Sequence, residues 1–289
     1  MNEFVILTDS CSDLPLPMIN DKELKVIPLS VLIDGKQYFN YPDERDITNT
    51  EIYKLLREHK TATTSQLSPA QCMEVLEPLL KKGKDVLCII LSSALSGTFN
   101  SVLVAKNELE FKYPKSKIIA IDSLCASLGQ GLLVHHALEQ KRSGKSIDEV
   151  ATWVEENKLH LCHYFTVDDL GHLKRGGRLS ATSAFLGSLL QVKPILHVSN
   201  EGKLVPVSKE RGRKGSLKAL VDYLDEKILT DDQVVFISHG DCLEDAKFVE
   251  ELIKEKHKVK DIVIGYIGPV IGAHAGPGTV ALFFLGKNR

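Results

Sequence analysis

The stretch from Val86 to Ser101 places the tightest constraint on the fold, because it changes character twice within a short span. It begins with an unbroken apolar run, which predicts a strand covered on both faces. Ser96, Gly97 and Thr98 then supply hydroxyls and small side chains, and a helix is predicted to begin at Gly97. Open α/β sheets bind ligands at this end of a strand, and a helix N-terminus favours an anionic group such as a carboxylate or phosphate. The plainer alternative is that Ser96 only caps its helix.

Strands and helices alternate along the first half of the chain. Apolar runs at Phe4–Thr8 and Ile118–Ile121 are separated by helical patterns, which is typical of a largely parallel sheet flanked by helices. A new strand starts near residue 160, and a chain of 289 residues exceeds the usual size of one hydrophobic core. We therefore expect an α/β protein with two α/β domains, residues 1–159 and residues 160–289, the second with a mixed sheet.

Composition excludes several classes of function. A formal net charge of −2 and a charged content of 26% give no overall attraction for nucleic acid. The six cysteines include no C-x-x-C pair, which predicts reduced core residues and no zinc or other metal site. No signal peptide or apolar run of about 20 residues is present, so we expect a cytoplasmic protein. Neither a phosphate-binding P-loop nor a dinucleotide fingerprint occurs, so no nucleotide cofactor is expected.

A hydroxyl-dense segment from Thr61 to Pro69 is predicted to be a loop. Ser68 and Gln71 form a capping box around Pro69 at the first helical position, which explains part of the segment. Thr64 and Ser65 lie outside the cap and remain available to a ligand.

Two further segments offer polar side chains. Asp9 follows the first strand and is a candidate metal ligand or nucleophile, but a turn or cap role is the favoured interpretation. His274 lies in a run rich in glycine and proline, residues 267–279. That frame predicts a shaped loop in which His274 belongs to neither a helix nor a strand, and which holds the imidazole in one place.

Basic residues cluster in two places. Arg175 and Arg178 flank two glycines, where they would grip a phosphate or an acidic partner, or form a solvated turn. Arg211 and Lys214 stand at a predicted helix start, where positive charge opposes the helix dipole. Because they do not serve helix stability there, a surface role in binding is favoured.

Five motifs occur in a characteristic order along the chain. They are Asp9-Ser10 with Asp13-Leu14-Pro15, Thr64-Ser65-Gln66, Ser92 to Thr98, Lys174-Arg175-Gly176-Gly177-Arg178, and Gly272 to Gly278. In this order and approximate spacing they resemble the DegV family, and the resemblance covers essentially the whole chain. One departure is Leu67, where the family often has proline, which would alter loop stiffness.

The resemblance implies a two-domain α/β protein that holds a long-chain fatty acid in an apolar tunnel, with the carboxylate at the domain junction. It also implies a separate ATP-dependent fatty acid kinase as partner, which converts the bound acid to an acyl phosphate for phospholipid synthesis in bacteria. The chain would then be a lipid carrier with no cofactor and no catalytic residue of its own. A transient contact with a membrane surface is compatible with this role.

Carried over by motif, the carboxylate-binding hydroxyls are Thr64 and Ser96, with Ser65 and Gly97 beside them. His274 completes the site from the second domain. The kinase-docking candidates are Arg175, Arg178, Arg211 and Lys214.

Elementary energetics agree with that assignment. Each buried methylene contributes about 0.8 kcal/mol, so a tail of about sixteen carbons supplies on the order of 10 kcal/mol before ordering costs. Burying the carboxylate opposes binding unless hydrogen bonds replace its water. Neutral donors suffice, and a buried cation would hold the oxygen against phosphorylation, so we expect a largely uncharged site.

The sequence leaves two other classes of function as alternatives. An autonomous hydrolase or phosphotransferase would use Ser96 or Asp9 with His274, but the G-x-S-x-G frame of a nucleophile elbow is missing. A regulatory ligand-binding module is the third alternative.

Overall fold

The computed structural model describes residues 3–20, 22–179 and 192–289. The strands are β1 (Phe4–Asp9), β2 (Leu24–Ile27), β3 (Ser30–Ile33), β4 (Lys36–Phe39), β5 (Ala62–Ser65), β6 (Asp85–Ile90), β7 (Ile118–Asp122), β8 (Leu161–Thr166), β9 (Val192–Val198), β10 (Leu204–Arg211), β11 (Val234–His239), β12 (Asp261–Tyr266) and β13 (Val280–Leu285). The α-helices are α1 (Asn49–Arg57), α2 (Pro69–Lys81), α3 (Thr98–Lys112), α4 (Leu128–Arg142), α5 (Ile147–Asn157), α6 (Leu170–Arg175), α7 (Gly212–Lys227), α8 (Leu243–Lys256) and α9 (Pro269–Ala275).

The first half of the chain builds a parallel sheet with strand order β2-β1-β6-β7. Every residue of β1 and β6 is buried. This is the burial that their unbroken apolar runs predict for strands covered on both faces. The second half builds a mixed sheet with order β10-β9-β8-β13-β11-β12, so the predicted α/β class is confirmed.

Helix α4 lies between the two sheets. It packs against β1 and β6 of the parallel sheet and against β8, β11 and β13 of the mixed sheet. The residues of its first three turns are almost all buried, which explains why it has no polar face there. One hydrophobic core therefore includes α4 and side chains of both sheets. The division at residues 159 and 160 remains a prediction.

The hydroxyl-dense segment is not a loop throughout. Residues 62–65 form β5, which pairs antiparallel with β3 so that Thr64 lies opposite Val31. Thr64 is half-buried and Ser65 is exposed, which is the alternation of a one-sided strand. β-branched threonine suits such a strand, so the loop prediction was wrong over these residues. The predicted capping box of Ser68 and Gln71 at the start of α2 is confirmed.

His274 lies within a helix, contrary to prediction. Pro269 occupies the first turn of α9, where its missing N–H costs nothing. Gly276 ends the helix with φ 82, a conformation that favours glycine. The proline and glycine therefore bound a short helix instead of preventing one. Among the described residues, no helix is both long and apolar enough to cross a bilayer.

Candidate ligand-binding site

A cavity of about 390 Å³ lies between the carboxyl end of the parallel sheet and one face of the mixed sheet. This volume is within the range of small-molecule sites. Most of its wall is apolar, and contributions come from both halves of the chain. Representative apolar lining residues are Leu29, Leu91, Phe165, Val270, Ala281 and Phe283.

Several polar side chains line this cavity. Thr64, Ser65, Ser96 and His274, which were predicted to bind a carboxylate, are among them. Thr64 Oγ1 lies 2.8 Å from His274 Nε2, so β5 and α9 meet through this contact. Ser65 is exposed, which places this end of the cavity near the protein surface.

His274 is neutral near pH 7. Burial first, and the nearby positive charge of Arg178 second, lower the pKa of its imidazole to about 4. Its Nδ1 atom is buried without a hydrogen-bond partner among the described residues. An unpartnered acceptor is easier to accommodate than an unpartnered donor, so we assign the proton to Nε2, which then donates to Thr64 Oγ1. In that arrangement the Thr64 hydroxyl proton is free to face a ligand.

Ser96 lies at the N-terminus of α3. Its Oγ is 3.0 Å from Thr98 Oγ1 and accepts from the Thr98 N–H at 3.3 Å, so it does contribute to capping. Gly97 is the N-cap residue itself. Ser96 therefore contributes to the cap of the helix and also lines the cavity, and its role in binding a ligand remains a prediction.

Gly97 acts through a neighbour. A Cβ atom at this position would lie 2.1 Å from Gln66 Oε1, so only glycine lets the Gln66 side chain lie across the start of α3. Gln66 lines the cavity, whereas Gly97 does not. Gln66 was not among the predicted site residues, although it belongs to the same Thr64-Ser65-Gln66 motif as two of them.

A second cleft, of about 480 Å³, adjoins the first on the outer side of the polar residues. Thr64, Arg178 and His274 line both spaces, and Arg175 lines the outer one. Thr64 and His274 therefore stand between a mostly apolar cavity and an outer cleft that carries positive charge.

The sequence of this chain is similar to proteins of one known family. A model described as uncharacterised protein, DegV family, matches residues 3–287. The chain belongs to the DegV family. A DegV domain-containing protein of Clostridium perfringens is 49% identical over 290 residues, covering 100% of this chain and 99% of that protein.

Solved DegV structures share the whole fold. The crystal structure of DegV, a fatty acid binding protein from Bacillus subtilis, has a TM-score of 0.85 and 33% identity, over 98% of this chain and 99% of that one. A DegV lipid binding protein from Thermotoga maritima has a TM-score of 0.87 and 29% identity, over 99% of both chains.

Within this DegV family member, Arg178 changes one expectation. Its guanidinium lines the cavity and donates to the carbonyls of Leu95 at 3.0 Å and Gly176 at 2.6 Å. Arg178 therefore adds one charged side chain to the wall of a site that was expected to be largely uncharged. The physical reason is that Gly176 lets the turn pack against His274, since a Cβ there would lie 2.2 Å from Nδ1. That packing brings Arg178 to the wall.

The other docking candidates lie on the outside. Arg175 is exposed at the end of α6, and Arg211 and Lys214 are exposed at the start of α7. Arg211 and Lys214 stand apart from the cavity lining, so the four basic residues do not form one cluster around it.

Asp9 has a structural role, because its carboxylate is held by hydrogen bonds within the fold. Its buried carboxylate accepts from the N–H groups of Cys11 at 2.9 Å and Leu91 at 2.8 Å, and from Gln130 Nε2 at 3.0 Å. Burial raises its pKa, which these hydrogen bonds oppose. The carboxylate therefore joins β1 to the end of β6, as the cap interpretation holds. No group of three or more metal-ligating side chains occurs in the described part of the chain.

The side-chain contacts do not build a nucleophile and base. The Ser96 hydroxyl contacts Thr98, and the His274 imidazole contacts Thr64. A hydrolase that pairs Ser96 with His274 would need a hydrogen bond between them, with an acid to orient the base. Asp9, the other candidate nucleophile, already accepts hydrogen bonds from the backbone N–H groups of Cys11 and Leu91.

Proposed function

We propose that this protein binds a long-chain fatty acid, with its tail in the 390 Å³ cavity and its carboxylate against Thr64, Ser96 and His274. The observation that carries the proposal is a mostly apolar cavity whose wall includes the hydroxyls of Thr64 and Ser96 and the neutral imidazole of His274. The fatty acid binding protein of Bacillus subtilis, which shares the fold, supports the same ligand class.

The chemistry of the wall suits a carboxylate. The hydroxyls of Thr64 and Ser96 donate to the two carboxylate oxygens, and the N-terminus of α3 adds its partial positive charge. Arg178 supplies a full positive charge at the same wall, while its hydrogen bonds to two carbonyls hold it in place. These interactions offset the several kcal/mol that desolvation of a carboxylate costs.

We further propose that the protein presents this carboxylate to a separate ATP-dependent fatty acid kinase in the cytoplasm. The carboxylate oxygen attacks the terminal phosphorus of ATP, the bond to the bridging oxygen breaks, and ADP leaves as the acyl phosphate forms. That product enters phospholipid synthesis. The outer cleft supports the proposal, because it gives a second protein access to Thr64 and His274. Arg175, Arg178, Arg211 and Lys214 are the proposed docking residues.

Extraction of the purified protein with organic solvent, followed by mass spectrometry, tests the ligand. We expect a long-chain fatty acid. Ser96→Ala is expected to lower both retention of the acid and its phosphorylation, while Ser93→Ala is the matched control because Ser93 is exposed. Equal retention and phosphorylation in the two variants would refute the assignment of Ser96.

A charge reversal tests the partner. Arg211→Glu is expected to reduce kinase turnover while the bound acid persists, because Arg211 stands apart from the cavity lining. Lys218→Glu, at an exposed position of the same helix, is the control. Loss of the acid from Arg211→Glu would count against a docking role.

A further inference from the structure

Strand β13 runs along the cavity, so the spacing of its residues gives a distance along the cavity wall. Thr279 precedes it, and Ala281 and Phe283 follow at alternate positions, so all three share the face that lines the cavity. The Thr279 hydroxyl donates to the carbonyl of Ala275, the residue after His274, at 2.9 Å. Four residues of strand span about 13 Å. Phe283 therefore lies about that far along the strand from the end of the cavity that holds His274.

At the level of Phe283, four cavity-lining side chains form a row across the mixed sheet. Phe283 of β13 lies opposite His163 of β8. Because Tyr164 lies opposite His197, the antiparallel register places His163 beside Val198 of β9. Val198 in turn lies opposite Leu204 of β10. This row, the far wall, lies at the level of Phe283, about 13 Å along the sheet from the end of the cavity that holds His274.

His163 is the rigid member of the far wall. Its Nδ1 donates to the Leu161 carbonyl at 3.0 Å, and its Nε2 accepts from the Ala126 N–H at 3.4 Å. Its ring meets Phe283 edge-on, with centroids 5.4 Å apart. Burial holds the pKa of this imidazole well below its ordinary value, so the ring is neutral and both nitrogens are engaged. A ring held at both nitrogens does not swing aside for a ligand.

Helix α4 blocks retreat of this ring. A Cβ atom on Gly129 would lie 2.1 Å from His163 Nε2 and 2.8 Å from Phe283 Cδ1. Only a glycine admits the ring at this depth, and the ring fills the space that the glycine leaves. A tail that presses on His163 therefore meets the backbone of α4 directly behind it.

We propose that His163 limits the length of the acyl tail that the cavity accepts, with Gly129 as the positioning residue that sets the depth of the ring. The inference rests on the proposed fatty acid ligand and assigns the selectivity of that same site.

Competition among saturated acids tests the proposal. Delipidated full-length protein is incubated with an equimolar mixture of straight-chain acids from lauric to arachidic, and the bound acids are quantified by mass spectrometry. His163→Ala removes the stop and is expected to shift the bound distribution towards longer acids. Each methylene that gains room strengthens binding about fourfold, so an acid two carbons longer gains about fifteenfold relative to the wild-type preference. His163→Leu nearly conserves the volume and is expected to keep the wild-type distribution.

Gly129→Ala gives the opposite change. Its new methyl group forces His163 into the cavity, so the distribution is expected to shift towards shorter acids. The double variant Gly129→Ala with His163→Ala is expected to accept longer acids again, because the methyl group then has no ring to displace. Gly215→Ala is the matched control, since its Cβ would approach no atom closer than 3.9 Å.

An unchanged length distribution in His163→Ala would overturn the proposal, as would a shift in His163→Leu equal to that of His163→Ala. If Gly129→Ala does not fold, the two single variants at His163 still decide the outcome. Failure of the wild-type protein to bind any of the acids would instead refute the proposed function.

Discussion

Acidification provides a direct test of the buried environment of His274. In the folded protein the pKa of this imidazole is about 4, whereas its ordinary value is 6.5. The unfolded chain therefore takes up a proton in a pH range where the folded protein does not. Stability from this residue is fully present above pH 6.5 and is lost as the pH falls towards 4. Linkage gives a loss of about 2 kcal/mol between pH 7 and pH 5.

The assay compares two proteins freed of lipid. Urea unfolding at pH 7 and at pH 5 gives the free energy of unfolding of the wild type and of His274→Gln. The glutamine amide still reaches Thr64 but does not titrate in this range. We expect the wild type to lose about 2 kcal/mol more than the variant. His59→Gln, at an exposed position, is expected to follow the wild type. Equal losses in the wild type and His274→Gln would refute the buried, neutral state of His274.

Three further changes test other contacts. Arg289→Ala removes hydrogen bonds from the guanidinium to the carbonyls of Leu124 and Ser199, among others. It is expected to lower the free energy of unfolding by about 2 kcal/mol. Lys287→Ala, at an exposed position, is the control. Gly176→Ala pushes against His274 Nδ1 and is expected to weaken fatty acid binding by about tenfold in a titration, which unchanged affinity would contradict. Thr64→Val, which keeps the shape but removes the hydroxyl, is expected to reduce affinity for the acid by about tenfold; an alkane with the same tail, which accepts no hydrogen bond, should bind both proteins alike if the carboxylate contact is responsible.

Local chemistry predicted much of the fold. The apolar run of β6 and the capping box of Ser68 with Gln71 depend on neighbours within a few residues, and both predictions are confirmed. The strand β5 and the helix α9 were missed for different reasons. Hydroxyl-rich residues suit a loop or a one-sided strand equally, and only pairing with β3 decides between them. In α9, proline and glycine mark the ends of a helix too short to show a hydrophobic period.

Some residues of the candidate site could be predicted from the sequence and others could not. Thr64, Ser96 and His274 were assigned through motifs, and the fold brings them to one cavity. The position of Arg178 was not predictable, because it depends on the close packing of Gly176 against His274. The far wall could not be predicted from the sequence either. His163 and Phe283 are 120 positions apart in the sequence and become neighbours only through the register of β8 and β13.

The Thr64–His274 contact also has a consequence for biosynthesis. These residues are separated by 210 positions, and they reach each other from β5 and α9. A chain still emerging from the ribosome has made Thr64 long before it has made His274. A ligand that needs both residues can therefore be retained only after synthesis has passed residue 274 and β5 has packed against α9.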